Sequence, residues 1–204
     1  MLSVFGRIEL ISKPREHFKE DSDLVADITG LARNGFGSGM TQEDVFNHLV
    51  TPQNVLLGYD CEGRLGVMYA YSVLRPIKKQ HLYVDGVVVR KDLQGRGLFP
   101  ALTKLLKRDS QLLSLRTSSA RMFESHYRVC GDTFVHSFPK NTNLQKEVFA
   151  LAALLDMEVD ENGVQKGFYP QSLYSKPQTV YGYDYLPKLG VDPEKGDAIL
   201  VVGK

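Results

Sequence analysis

The stretch from Val84 to Leu106, VDGVVVRKDLQGRGLFPALTKLL, constrains this chain more than any other. It opens on a Val-dense run, passes through Gln94-Gly-Arg-Gly-Leu-Phe99, and continues with Leu102, Leu105 and Leu106 on one side of a helical repeat. The order is strand, glycine turn, amphipathic helix. Glycines let the backbone turn tightly there and let a ligand approach it closely. The first N–H groups of a helix have no intrahelical acceptor, and the helix dipole adds partial positive charge. Arg96 can add a formal charge. Such a turn suits an anion, and a diphosphate fits it; the plainer reading is an ordinary Gly-rich strand–helix turn.

The surrounding chain is α/β. Phe5 to Ser12 predicts a strand ending near Pro14, and Leu24, Val25, Ile28 and Leu31 place a helix over Asp21 to Ala32. Residues 34–39 (NGFGSG) read as a loop. Thr41, with Asp44 three residues on, predicts a capped second helix. Asn54 to Tyr59 and Arg64 to Val73 flank a hairpin turn at Asp60-Cys-Glu-Gly63, and His81 to Arg90 forms a third strand. After the helix Leu98 to Lys107 come a short strand from Gln111 to Arg116 and a helix from Ser118 to Cys130, stopped at Gly131. Thr133 to Ser137 reads as extended. The composition changes from Asn141: a helix over Leu144 to Leu155, a small hairpin turning at residues 160–163, an irregular segment carrying Tyr169, Tyr174, Tyr181, Tyr183 and Tyr185, and a closing strand at Ala198 to Val202. Residues 1–140 are therefore expected to form the core, and 141–204 a C-terminal extension packed on the same domain.

Two phosphate-binding motifs fail on the residues. A Walker loop needs Gly-Lys-Ser/Thr, and none follows Gly97; a dinucleotide fingerprint needs a third glycine, where Pro100 stands. Gln94-x-x-Gly97-x-Phe99 instead resembles Gln/Arg-x-x-Gly-x-Gly/Ala, the coenzyme A pyrophosphate loop of the GNAT acetyltransferase superfamily. Val87 to Val89 before it and the leucines after it also look like that family. Phe99 departs from the usual small residue, and either packs under the loop or tightens or blocks it. Downstream, Tyr127-Arg-Val-Cys-Gly131 resembles the family's Tyr-x-x-x-Gly-Phe ending, with Asp132 where Phe is usual. The Asn and Ala that often open that helix are replaced by Thr117-Ser118-Ser119-Ala120. The similarity covers about residues 54–138.

The resemblance implies a GNAT-like mixed central sheet flanked by helices, and an N-acyltransferase that moves an acetyl or short acyl group from acetyl-CoA to a primary amine by direct transfer. It assigns the pyrophosphate to backbone N–H groups of Gly95, Arg96, Gly97, Leu98 and Phe99, behind Gln94, and the pantetheine to the backbone edge of Val87, Val88 and Val89. It makes Tyr127 the candidate acid for the leaving thiolate; the alternative is a half-buried tyrosine with a satisfied hydroxyl. Asp85 is the candidate base, since a carboxylate in an apolar strand suits that role; otherwise it pairs with a cation or marks a β-bulge. His81 and Tyr83, on the same alternating face, stand behind it, and His126 and His136 behind those. Capping accounts for Ser118 and Ser119. Cys130 lacks a histidine partner in sequence and reads as a buried helix thiol. The tyrosine-rich segment either lines an acceptor pocket or straps the sheet.

Composition narrows the remaining classes. The 204 residues carry a net charge of only +1, so the basic footprint of a tRNA or DNA modifier is missing and that alternative is disfavoured. Two cysteines support neither a disulfide framework nor a zinc site, and no metal is expected. No apolar run reaches the roughly 20 residues of a membrane span. The charged N-terminus does not resemble a signal peptide, and a cytoplasmic, reduced setting is expected. The partners implied are acyl-CoA and an amine acceptor, with no membrane. The closing strand can pair within the chain or between copies in a homodimer. A catalytically inactive acyl-CoA-binding or scaffold protein of the same fold is the main alternative.

Overall fold

Alternating and Val-rich segments form the strands, and segments of helical period cover them. The computed structural model describes residues 2–37, 39–133, 142–169 and 186–204. In chain order these give β1 (Arg7–Ser12), α1 (Pro14–Glu20), α2 (Ser22–Phe36), α3 (Gln42–Leu49), β2 (Asn54–Tyr59), β3 (Leu65–Leu74), β4 (His81–Val89), α4 (Leu98–Leu106), β5 (Leu112–Thr117), α5 (Ala120–Cys130), α6 (Thr142–Leu154), β6 (Val164–Gln165) and β7 (Ala198–Gly203). The seven strands form one sheet in the order β1-β2-β3-β4-β5-β7-β6. Its β1–β2, β2–β3, β5–β7 and β6–β7 pairs are antiparallel, and β4 connects to its neighbour β5 through α4. This is the expected α/β sheet with flanking helices. β7 pairs within the chain on both sides, with β5 and with β6.

The chain divides into two compact units. The first holds residues 1–73 and 84–105, the second 74–83 and 106–204. In the first, Val25, Ile28, Leu31 and Ala32 of α2 and Val45 and Leu49 of α3 bury against Val55 and Leu57 of β2, Met68 and Ala70 of β3 and Val88 of β4. The α2 positions follow the helical period, so one apolar stripe faces the sheet. Thr41 caps α3 as its spacing predicts: its Oγ1 accepts from the Asp44 N–H at 3.1 Å while Asp44 Oδ2 accepts from the Thr41 N–H at 3.0 Å. In the second unit, Leu144, Val148, Leu151 and Ala152 of α6 pack on Tyr83, Leu112, Leu200 and Val202.

Several boundaries differ from the sequence reading. Pro14 opens a helix: it sits at the first turn of α1, where its missing N–H has no partner to lose. α1 buries only Pro14 and Phe18, too few apolar positions for a periodic signal. Residues 34–36 are helical, and Gly37 supplies the left-handed stop (φ 70°), its N–H on Arg33 O at 2.9 Å. Gly35 serves close packing instead of a turn: a Cβ there would lie 2.7 Å from Val88 Cγ1 and 3.0 Å from Val89 O. The expected hairpin at 157–168 forms its turn, with Asp160 N–H on Val164 O at 2.9 Å. Only Val164–Gln165 is strand, however, and it pairs with β7. Thr133 bridges Gly203. The rest of the extended segment, with His136, and Tyr174, Tyr181, Tyr183 and Tyr185 lie outside the described residues.

Candidate functional site

In the first unit the glycine loop runs from the end of β4 into α4. Gly95 and Gly97 have φ of 76° and 69°, a region that favours glycine. A Cβ on Gly95 would meet nothing within 4 Å, so conformation, and not crowding by the protein, requires glycine there. Ala101 N–H finds an acceptor in Gly97 O at 3.2 Å. No backbone hydrogen bond among the described residues takes up the N–H groups of Gly95, Arg96, Gly97, Leu98 or Phe99. Pro100 falls in the first turn of α4, where it costs no hydrogen bond. Arg96 is exposed, with no ion-pair partner among the described residues. The loop therefore presents unpaired donors and a free guanidinium, the chemistry of an anion cradle.

Phe99 packs under this loop. It is 6% exposed, its ring stacks on Tyr69 with centroids 6.0 Å apart and planes 19° apart, and the Tyr69 hydroxyl lies 2.8 Å from Thr103 Oγ1. Burial pushes the Tyr69 phenol well above its ordinary pKa, so it stays protonated. The bulk that departs from the family pattern is buried against Tyr69.

Gln94 braces the loop. Its Nε2 donates to Val89 O at 3.0 Å and to Gly35 O at 3.1 Å, tying the end of β4 to the last turn of α2. Asn34 Oδ1 accepts from Lys91 N–H at 2.8 Å on the same side. Upstream, Val88 points into the core while Val87 and Val89 are half-buried.

Asp85 is half-buried on β4, and its Oδ2 accepts from the Ser72 hydroxyl at 2.8 Å. Ser72 is itself buried, and its Oγ accepts the Gln53 N–H at 3.1 Å, which leaves its proton for the carboxylate. Sequence reasoning missed Ser72: a serine in an apolar strand carries no signal until the register of β3 and β4 is known.

The second unit holds the other candidates. Tyr127 lies on α5 and is 36% exposed. Ser119 caps that helix, accepting Met122 N–H at 3.3 Å, and Gly131 (φ 74°) closes it with its N–H on Tyr127 O at 2.7 Å. His81, the reserve base, is buried with both ring nitrogens engaged: Nδ1 lies 2.6 Å from Ser114 Oγ and Nε2 3.1 Å from Glu147 Oε2. Burial lowers its pKa against the raising pull of Glu147. This triad ties β4, β5 and α6 together and leaves no lone pair for a substrate. Tyr83 is core. His126 is buried, with Nε2 3.0 Å from Leu113 O. Burial pushes the Cys130 thiol up to about 12, so it has no thiolate character at neutral pH. Tyr169 is tied to Arg116, whose guanidinium lies 3.2 Å from the Phe168 ring centroid.

No described helix is long and apolar enough to cross a membrane. No family model matches the sequence, and no curated protein matches it significantly. Solved structures do match in shape. The ribosomal-protein-S18-alanine N-acetyltransferase from Escherichia coli aligns over 96% of this chain and 92% of its own, at 13% identity and a TM-score of 0.50. Naa20 of Chaetomium thermophilum, solved in complex with a bisubstrate analogue, aligns over 97% and 85%, at 10% identity and a TM-score of 0.51. With its seven-stranded sheet and flanking helices, this chain has the fold of the GNAT N-acetyltransferases.

Proposed function

We propose that this protein is an N-acyltransferase that moves an acetyl or short acyl group from acyl-CoA to a primary amine of a small molecule or a protein. The observation that carries the reading is the loop from Gly95 to Phe99: unpaired N–H donors at the start of α4, two glycines at positive φ, and an exposed Arg96, all within a GNAT fold. In this reading the N–H groups of Gly95, Arg96, Gly97, Leu98 and Phe99 hold the pyrophosphate, and Gln94 fixes the loop. The backbone of Val87, Val88 and Val89 aligns the pantetheine, and an N–H of that strand polarises the thioester carbonyl.

The amine nitrogen attacks the thioester carbon, so a C–N bond forms and the C–S bond breaks. Asp85, held by Ser72, takes the proton the amine loses, through a water molecule. Tyr127 gives a proton to the departing sulfur, so that an amide and free CoA leave. The burial of Phe99 under the loop supports cofactor binding over the inactive alternative, because it removes the one side chain expected to obstruct the cradle.

The test is calorimetric titration of acetyl-CoA and CoA against wild type and Gly97→Glu, which puts bulk and negative charge where the diphosphate belongs and strains a residue at φ 69°. Micromolar binding that the variant loses supports the cradle. An amine screen with Tyr127→Phe and Asp85→Asn then tests the acid and the base. A folded wild type that binds neither ligand refutes the reading.

A further inference from the structure

A second set of contacts converges on the stem of the glycine loop. Arg90, the residue after β4, is 17% exposed in its side chain. Its Nε donates to Asp92 Oδ1 at 2.7 Å and its Nη2 to Asp92 Oδ2 at 3.0 Å, a two-toothed grip on a residue of the loop itself. The same Nη2 donates to Asp60 Oδ2 at 2.9 Å, in the turn between β2 and β3. The Arg90 backbone N–H is on Gly66 O at 2.9 Å.

Asp60 is built to receive it. Its Oδ1 accepts the N–H groups of Glu62 and Arg64, each at 3.0 Å, and its Oδ2 also takes Arg64 Nε at 3.0 Å. Burial alone would raise this carboxyl. The donors from Arg64, Arg90 and Glu62 outweigh it and hold Asp60 far below the usual carboxylate range, so it is charged at any working pH. Arg90 therefore joins a hairpin turn that closes on itself to Asp92 in the stem of the loop. Asn34 also holds Lys91, and Gly35 holds Gln94.

We propose that Arg90 is a positioning residue for the CoA-binding loop: through Asp92 and Asp60 it fixes the stem, so that the N–H groups of residues 95–99 stand ready before the diphosphate arrives. This rests on the CoA reading above. Three features favour positioning over direct anion binding. Two carboxylates already consume the Arg90 guanidinium, Arg96 remains available for the ligand, and only a planar fork can grip Asp92 with two nitrogens while reaching Asp60. A loop that must be ordered by its ligand binds more weakly than one already in place.

The experiment compares Arg90→Gln, Arg90→Lys and Arg64→Gln. Arg64→Gln removes a partner of the same Asp60 and leaves both Arg90–Asp92 hydrogen bonds in place, so it controls for loosening of the turn. For each, CoA is titrated by calorimetry, and backbone amide exchange of the CoA-free protein is followed by mass spectrometry. Arg90→Gln is expected to weaken CoA roughly tenfold and to speed exchange across residues 91–98. Arg90→Lys is expected to fall between it and wild type, and Arg64→Gln to stay within about twofold of wild type, with faster exchange only near residues 60–64. Equal losses in Arg90→Gln and Arg64→Gln, or unchanged affinity and exchange in Arg90→Gln, overturn the positioning role while leaving CoA binding intact. A wild type that binds no CoA removes the reading beneath it, and unchanged exchange at 91–98 in Arg90→Gln then removes the clamp as well.

Discussion

Replacing Phe99 by alanine restores the small residue usual at this point of a CoA loop, and a reading by motif alone expects improved cofactor binding. The structure argues the reverse. Phe99 is 6% exposed and stacks on Tyr69, which is itself buried and bonded to Thr103. Truncating a buried phenylalanine costs about 3–5 kcal/mol, from lost transfer energy and the cavity left behind; the Tyr69 stacking is a part of that, about 0.5–1.5 kcal/mol. For a chain of this length each kcal/mol lowers Tm by about 2–4 °C, so Phe99→Ala should melt roughly 6–20 °C below wild type. The chain has no tryptophan, so urea unfolding is best followed by far-UV circular dichroism, with CoA titrated below the transition. The expected result is a large loss of stability and an affinity no better than wild type, because the cavity opens against Tyr69, in the packing that holds the start of α4. A loss under about 1 kcal/mol together with markedly tighter CoA binding would place the ring in the cofactor's space and refute the packing argument.

Gly35→Ala sets about 1 kcal/mol of helix propensity against a Cβ 2.7 Å from Val88 Cγ1; overpacking of about 1–3 kcal/mol should win, and a rise in Tm would count against that contact. His81 has a lowered pKa in the folded state from an ordinary 6.5, so the unfolded chain binds the extra proton first, and stability present above pH 6.5 is lost as pH falls below it. The urea midpoint should drop from pH 7 toward pH 5, with a shallower slope in His81→Gln; parallel slopes would exonerate the triad. Cys61 is exposed, while Cys130 is half-buried with its thiol pushed up to about 12 by burial, so a maleimide reagent should label Cys61 promptly in native protein and Cys130 much more slowly until the chain unfolds. Rapid labelling of both contradicts the raised Cys130 thiol.

Much of this fold was legible because its signals are local. Thr41 and Asp44 announce a capping box by spacing alone, and Asp60 and Gly63 announce a turn that their own side chain and φ complete. Gly95 and Gly97 announce the loop because few other residues tolerate that conformation. What escaped depends on contacts far apart in sequence. Gly35 reads as a loop glycine until Val88, 53 positions on, is seen against it. Ser72 reads as a polar intrusion until Asp85 is opposite it. α1, with two buried residues, has too little periodicity to declare itself.

The same distinction explains Phe99. A motif is a pattern of residues that touch the ligand and residues that touch the fold, and sequence does not separate the two. On the proposed cofactor reading Gly97 belongs to the first kind: its φ of 69° shapes the surface that a diphosphate would meet. The position of Phe99 belongs to the second, because its side chain is buried and stacks on Tyr69. A phenylalanine is what a fold with room beside Tyr69 can accept, and Tyr69 with Thr103 frames that room here. The departure from the pattern is therefore taken up by packing against Tyr69, while the N–H groups of residues 95–99 keep no backbone acceptor among the described residues.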